Sequence, residues 1–169
     1  DRVSLKPETK WSIHFTQNAK FEESSSTLGD FFTVKRGIAT GDNDFFILSK
    51  ETIEQYNILQ DFLRPVLPSP RYIKENRINN ENGLPLVPNQ LFLFCCNLPE
   101  NILKERYPKV WEYVQTGYER GVQKGYICSR RSPWYSCEER KPATFVMPYM
   151  GRGETGNRMF RFILNTSNA

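Results

Sequence analysis

Apolar positions in this chain follow two rhythms, strand-like stretches toward both ends and helical spacing between them. From Asp30, Phe31-Phe32-Thr33-Val34 has the composition of a strand, Gly37 and Thr40-Gly41-Asp42-Asn43 supply a turn, and Phe45-Phe46-Ile47-Leu48 reads as the returning strand. Ser49 is a good N-cap and Glu51 sits in the first turn, where a negative charge suits the helix dipole. Ile53, Tyr56, Leu59 and Leu63 then recur at helical spacing until Pro65 ends the element. Prolines at 65, 68, 70, 85 and 88 and a polar tract at 74–83 mark residues 65–88 as a long irregular connection with an exposed loop. The continuous apolar run Leu91 to Cys96 predicts a buried central strand. Pro99 opens a helix carrying Ile102 and Leu103, and Pro108 restarts it with Val110, Trp111, Val114 and Tyr118 on one side. After Gly125, short strands are predicted at 126–128, 134–135, 143–147 and 159–164, with a glycine-rich loop at 150–157 before the last.

Residues 1–29 are polar and turn-rich, with Trp11, Ile13 and Phe15 alternating, and read as a leading segment or linker before a domain at 30–169. Strands, then helices, then strands, without repeating βα units, predict an α+β fold: mostly antiparallel sheets with a few packed helices. At 169 residues and 38% hydrophobic composition, the chain can bury a substantial core. No apolar run approaches the roughly 20 residues of a membrane helix, and no signal segment opens the chain, so a soluble cytoplasmic protein is expected.

Charge alters this picture through its distribution. Residues 1–119 carry 14 Lys or Arg against 16 Asp or Glu, whereas residues 120–169 carry nine against three. A cationic last third suits a polyanionic partner, although a solvated basic face has the same composition. Cys95, Cys96, Cys128 and Cys137 match no zinc-knuckle spacing and read as small reduced hydrophobes, so no metal is expected. The single histidine, His14, lies in the polar leading segment, and neither a phosphate-binding G-x(4)-G-K-[ST] loop nor a dinucleotide fingerprint occurs. No catalytic residues are assigned.

Two stretches carry the candidate chemistry. Lys35 and Arg36 precede the Gly37–Asn43 bend, where glycine permits close backbone approach and Asn43 can address an adenine edge beside Thr40. An ordinary hairpin loop would use the same residues for turn geometry. In Arg130-Arg131-Ser132-Pro133-Trp134-Tyr135, two guanidinium groups can hold phosphate or guanine, and two rings stand ready either to pack on a nucleotide or to fill the core. Lys141, Arg152 and Arg158 extend the basic set toward phosphates.

Read in order, these elements resemble the TaqI-like target-recognition domain of Eco57I-type N6-adenine DNA methyltransferases and type IIG restriction–modification enzymes. The resemblance rests on Gly37, Thr40, Gly41, Asn43, Phe45 and Phe46, then on the Arg131-x-x-Trp134-Tyr135 element, the strand-like Arg140 to Met150 and the segment Phe162 to Ala169. It implies sequence-specific recognition of double-stranded DNA, with Lys35, Arg36, Thr40, Asn43, Arg130, Arg131, Trp134, Tyr135, Lys141, Arg152 and Arg158 as DNA-binding candidates. The family's Asn/Asp-Pro-Pro-Tyr/Phe motif and S-adenosylmethionine loop are absent, so the chain reads as a piece of a larger enzyme. S-adenosylmethionine is then expected in the parent protein, whose methyltransferase core lies in the same polypeptide, and no cofactor is expected in this fragment. Half of a type I restriction specificity subunit and a protein-interaction domain are the alternatives.

Overall fold

Strand β6, Leu91–Phe94, is the axis of the larger sheet. It is flanked by β1, Ile47–Leu48, and β2, Leu63–Val66, in the order β1-β6-β2, with both neighbours antiparallel. Ile47 pairs with Leu93, and Leu63 pairs with Phe94. The central place of β6 explains its unbroken apolar run, since Phe92, Leu93 and Phe94 are all buried. The computed structural model describes residues 26–69, 72–148 and 161–169. The chain divides into two compact units, one ending at Gly37 and one beginning at Ile38.

In the first unit, Leu28–Phe31 forms a single helical turn, α1. Asp30 Oδ2 accepts from the backbone nitrogen of Thr27 at 2.6 Å and from its hydroxyl at 3.0 Å. The strand expected at Phe31–Val34 does not form: Phe31 ends this turn and the backbone then runs irregularly to Ala39. The capping carboxylate closes the turn locally, where β propensity alone pointed to an extended run.

In the second unit, Asp42 caps α2, Asn43–Phe46, by accepting from the Phe45 nitrogen at 2.9 Å. That cap converts half of the anticipated returning strand into helix and leaves Ile47–Leu48 as β1. Ser49 caps α3, Lys50–Gln55, accepting from the Thr52 nitrogen at 3.4 Å. This helix stops ten residues short of Pro65, because Asn57 takes a positive φ of 47°. Leu63 to Val66 then joins the sheet, and Pro65 is tolerated because β2 is an edge strand.

Residues 65–88 hold more structure than a loop. Besides β3, Arg77–Ile78, they contain the hairpin β4, Asn80–Glu81, and β5, Leu84–Pro85, joined by Asn82 and Gly83 at φ 51° and 82°. Two positive φ values in a two-residue connection are what a primed hairpin turn requires, and Asn-Gly is its preferred sequence. Strand β3 pairs in parallel with β8, Ile163–Asn165, which pairs antiparallel with β7, Phe145–Val146. Ile73, Ile78 and Ile163 form a small satellite core there. With four antiparallel pairings and one parallel pairing among the described residues, beside a few helices, the fold is α+β.

Helices α4, Glu100–Arg106, and α5, Pro108–Arg120, follow β6 as the two prolines predict. Helix α5 buries Val110, Tyr113, Val114 and Gly117, and Trp111 and Tyr118 pack half-buried against the same core. Its last turn ends at Gly121, which takes the left-handed conformation at φ 76°. Phe45 stacks on Tyr113 with ring centroids 4.9 Å apart, and Phe94 meets Tyr113 edge-on at 5.5 Å. Each fully buried large apolar side chain in such a cluster contributes about 1.5–3 kcal/mol from area alone. All four cysteines are buried and free. The strands expected at 126–128 and 134–135 do not form: 126–127 is a turn leading into the 3-10 turn Cys128–Arg130, and 134–135 lie in a turn closed by the Ser136 nitrogen on Pro133 O at 3.0 Å. No described helix is long and apolar enough to cross a membrane.

Candidate nucleic-acid interface

The Thr40–Asn43 turn is built from within and clamped from outside. Thr40 is buried, and its hydroxyl donates to Asn43 Oδ1 at 2.7 Å, which orients the exposed Asn43 amide at the start of α2. Gly41 adopts φ +95°, and a Cβ there would lie 2.8 Å from Cys128 Sγ and 3.2 Å from Ile127 Cβ. Glycine is thus required twice at this position, for its conformation and for the close approach of the Ile127 and Cys128 side chains.

That approach joins the two stretches singled out in the sequence. Arg131 places its guanidinium fork on two successive carbonyls, donating to Thr40 O at 2.8 Å and Ala39 O at 2.6 Å. Its charge also lies 5.5 Å from the Phe46 ring centroid. Cys128 Sγ sits 3.8 Å from Thr40 O, and burial raises this thiol so that it keeps its proton and can donate. Across the turn, Arg120 at the end of α5 lies 3.5 Å from Asp42 Oδ1 and donates to Asp44 O at 3.4 Å. Two arginines therefore hold one turn from different elements.

Trp134 and Tyr135 lie beneath this surface. They are 7% and 0% exposed, which is the core-filling alternative of the sequence reading, and their faces are not offered to a nucleotide. Trp134 packs on Phe45 at 5.1 Å and on Tyr118 at 5.3 Å, while the Tyr135 hydroxyl donates to Leu98 O at 2.7 Å. Gly117 of α5 lets the Trp134 and Phe45 rings approach the helix backbone. The Tyr113 hydroxyl donates to the Phe45 carbonyl, and burial pushes this phenol well above its ordinary range.

Arg130 points the other way. It is exposed, its guanidinium carbon stands 3.6 Å over the Tyr126 ring centroid, and Nη1 donates to Tyr126 O at 2.7 Å. Lys141 is exposed on irregular backbone, beside Arg140 and its 2.8 Å ion pair with Glu138. Lys35 and Arg36 are exposed in the first unit. Arg152 and Arg158, the glycine-rich loop at 150–157 and His14 lie outside the described residues. The structure thus brings Thr40, Asn43 and Arg131 together, and leaves Arg130 on the outer side of the adjoining turn. It adds Arg120 and Tyr126, which the sequence reading passed over; for Tyr126 the available signal was its four-residue spacing from Arg130 behind Gly125. Among the described residues no group of His, Cys, Asp and Glu side chains is arranged to hold a metal.

Comparison with known proteins places this chain in a family. Over 165 residues, covering 97% of its length, the chain is 28% identical to the Type II methyltransferase M.AccI of Acinetobacter calcoaceticus. It is 26% identical, over 99% of its length, to the Type II methyltransferase M.XamI of Xanthomonas campestris pv. amaranthicola. The chain spans only 29% and 30% of these two relatives. No solved structure matches it. Residues 6–169 match the family described as Type II methyltransferase M.Eco57I, C-terminal domain, and the chain belongs to that family.

Proposed function

We propose that this chain is the DNA-recognition module of a site-specific adenine-N6 methyltransferase, or of a type IIG restriction–modification enzyme, working in the cytoplasm. The family match over residues 6–169 carries this reading. An enzyme that modifies a base must take it out of the stack, and something must hold the flanking duplex meanwhile. The joined turns supply that hold in chemical terms. Asn43 presents an amide, Arg130 presents an exposed guanidinium, and Arg131 and Arg120 stiffen the backbone between them. Lys35, Arg36 and Lys141 supply exposed cations for phosphates, and Arg152 and Arg158 complete the set.

The partner is double-stranded DNA, and a methyltransferase core in the same polypeptide performs the chemistry. S-adenosylmethionine would be the methyl donor of that whole enzyme. The Asn/Asp-Pro-Pro-Tyr/Phe motif that such a core would carry is missing from this sequence. A gel-shift titration of the natural polypeptide at several salt concentrations tests the reading. Log affinity for a duplex should fall linearly with log salt, and removing one phosphate-binding cation, as in Lys141→Ala, should reduce the slope by about 0.9. Retention of a protein partner at raised salt, with no duplex binding at low salt, would overturn it in favour of an interaction domain.

A further inference from the structure

Arg130 and Tyr126 are an unusual pair for a surface. Tyr126 is 75% exposed, so its ring contributes little to the core. A cation–π contact in water is worth only about 0.5–1 kcal/mol, too little to explain the pair as a stability device. The turn that carries it is nevertheless thoroughly wired. Tyr126 O accepts from Arg130 Nη1 at 2.7 Å and from Ser129 Oγ at 3.3 Å, and the Arg131 nitrogen donates to Cys128 O at 3.0 Å. Ile127 and Cys128, the next residues along, are those that close on Gly41. A guanidinium has five N–H donors, and only Nη1 of Arg130 is engaged, which leaves the Nε and Nη2 edge without a partner among the described residues.

We infer that Arg130 and Tyr126 form one base-reading unit, in which the ring holds the guanidinium plane so that its open edge grips O6 and N7 of a guanine in the major groove. This rests on the DNA-recognition reading above and adds the base and the two residues. A phosphate needs only charge within reach, which a mobile lysine supplies. A guanine edge needs two coplanar donors held in orientation, and a stacked, hydrogen-bonded arginine provides that. Arg130 is the contacting residue, and Tyr126 positions it.

The test uses the natural polypeptide, with its site first defined by sequencing the DNA it methylates. Duplexes carrying 7-deazaguanine at each guanine of the site in turn then remove one N7 acceptor at a time. Wild type should lose affinity at one guanine in particular. Arg130→Ala should abolish that penalty and relax discrimination at that base pair by about 5- to 150-fold. Tyr126→Ala should weaken the same discrimination, and Tyr126→Phe should restore it by keeping the ring. Urea midpoints of all three variants should match wild type, since both side chains are exposed. A uniform loss for every duplex in Arg130→Ala, with all 7-deazaguanine penalties intact, would make Arg130 a phosphate contact and overturn the inference alone. A methylated site without guanine would do the same. Absence of any sequence-dependent binding by wild type would instead sink the DNA-recognition reading and this inference with it.

Discussion

Gly41 is the residue on which the joined turns depend. Replacing it by alanine forces a Cβ into a φ of +95° and to within 2.8 Å of Cys128 Sγ. Gly41→Ala should lower stability by about 1–3 kcal/mol, seen as a shifted urea midpoint with unchanged slope. Gly117 sets two effects against each other. Alanine gains about 1 kcal/mol of helix propensity, but its Cβ would meet Trp134 Cη2 and, at 2.7 Å, Phe45 Cε2. Those are atoms of packed rings, so the overpacking cost of about 1–3 kcal/mol prevails and Gly117→Ala should destabilise. Arg131→Lys keeps the charge and loses the fork on Ala39 and Thr40, for an expected cost of about 1–2 kcal/mol by denaturation. At this scale the sequence singled out Thr40, Asn43, Arg130 and Arg131 as candidates, but not how differently their side chains are placed. Arg130 and Arg131 are neighbours in the chain, yet one faces solvent and the other braces a turn 91 residues away.

Elements were legible where a local signal stood alone and obscured where a tertiary partner overrode it. The Ser49 cap, the two helix-opening prolines and the apolar run of β6 each formed the expected element. Helical spacing through Leu59 and Leu63 misled, because those positions serve a 3-10 turn and a strand whose partner is β6. The hairpin at 80–85 was readable in its Asn82-Gly83 pair, but short strands in a polar tract lack the alternation that would have framed it. The linkage of α4 to α5 gives a prediction with a pH sign. The Tyr118 hydroxyl donates to Glu100, and this bond, followed by Lys104, holds the Glu100 carboxyl below its ordinary value. A depressed carboxylate stabilises the fold above its unfolded pKa and loses that contribution as pH falls through the folded one. Glu100 is 38% exposed, so screening keeps the effect small. Tyr118→Phe should cost about 0.5–1 kcal/mol at pH 7. The gap to wild type should narrow below about pH 4, as followed by denaturant midpoints across pH.

For the whole molecule, the α+β class followed from the order of strand-like and helix-like segments, and the family from motifs kept in their order. What the sequence could not reveal was the meeting of Gly41 with Ile127 and Cys128, since no periodicity links residues so far apart. That meeting joins the turn at 39–43 to the turn at 127–131, and the proposed recognition of DNA depends on it. Hydrogen exchange on the natural polypeptide, with and without a duplex bearing its methylation site, reports on that surface peptide by peptide. Amides of residues 38–44 and 126–131 should slow together on adding the duplex and recover together at high salt. Unchanged exchange in both segments, with protection confined to other parts of the chain, would contradict a shared DNA-binding surface.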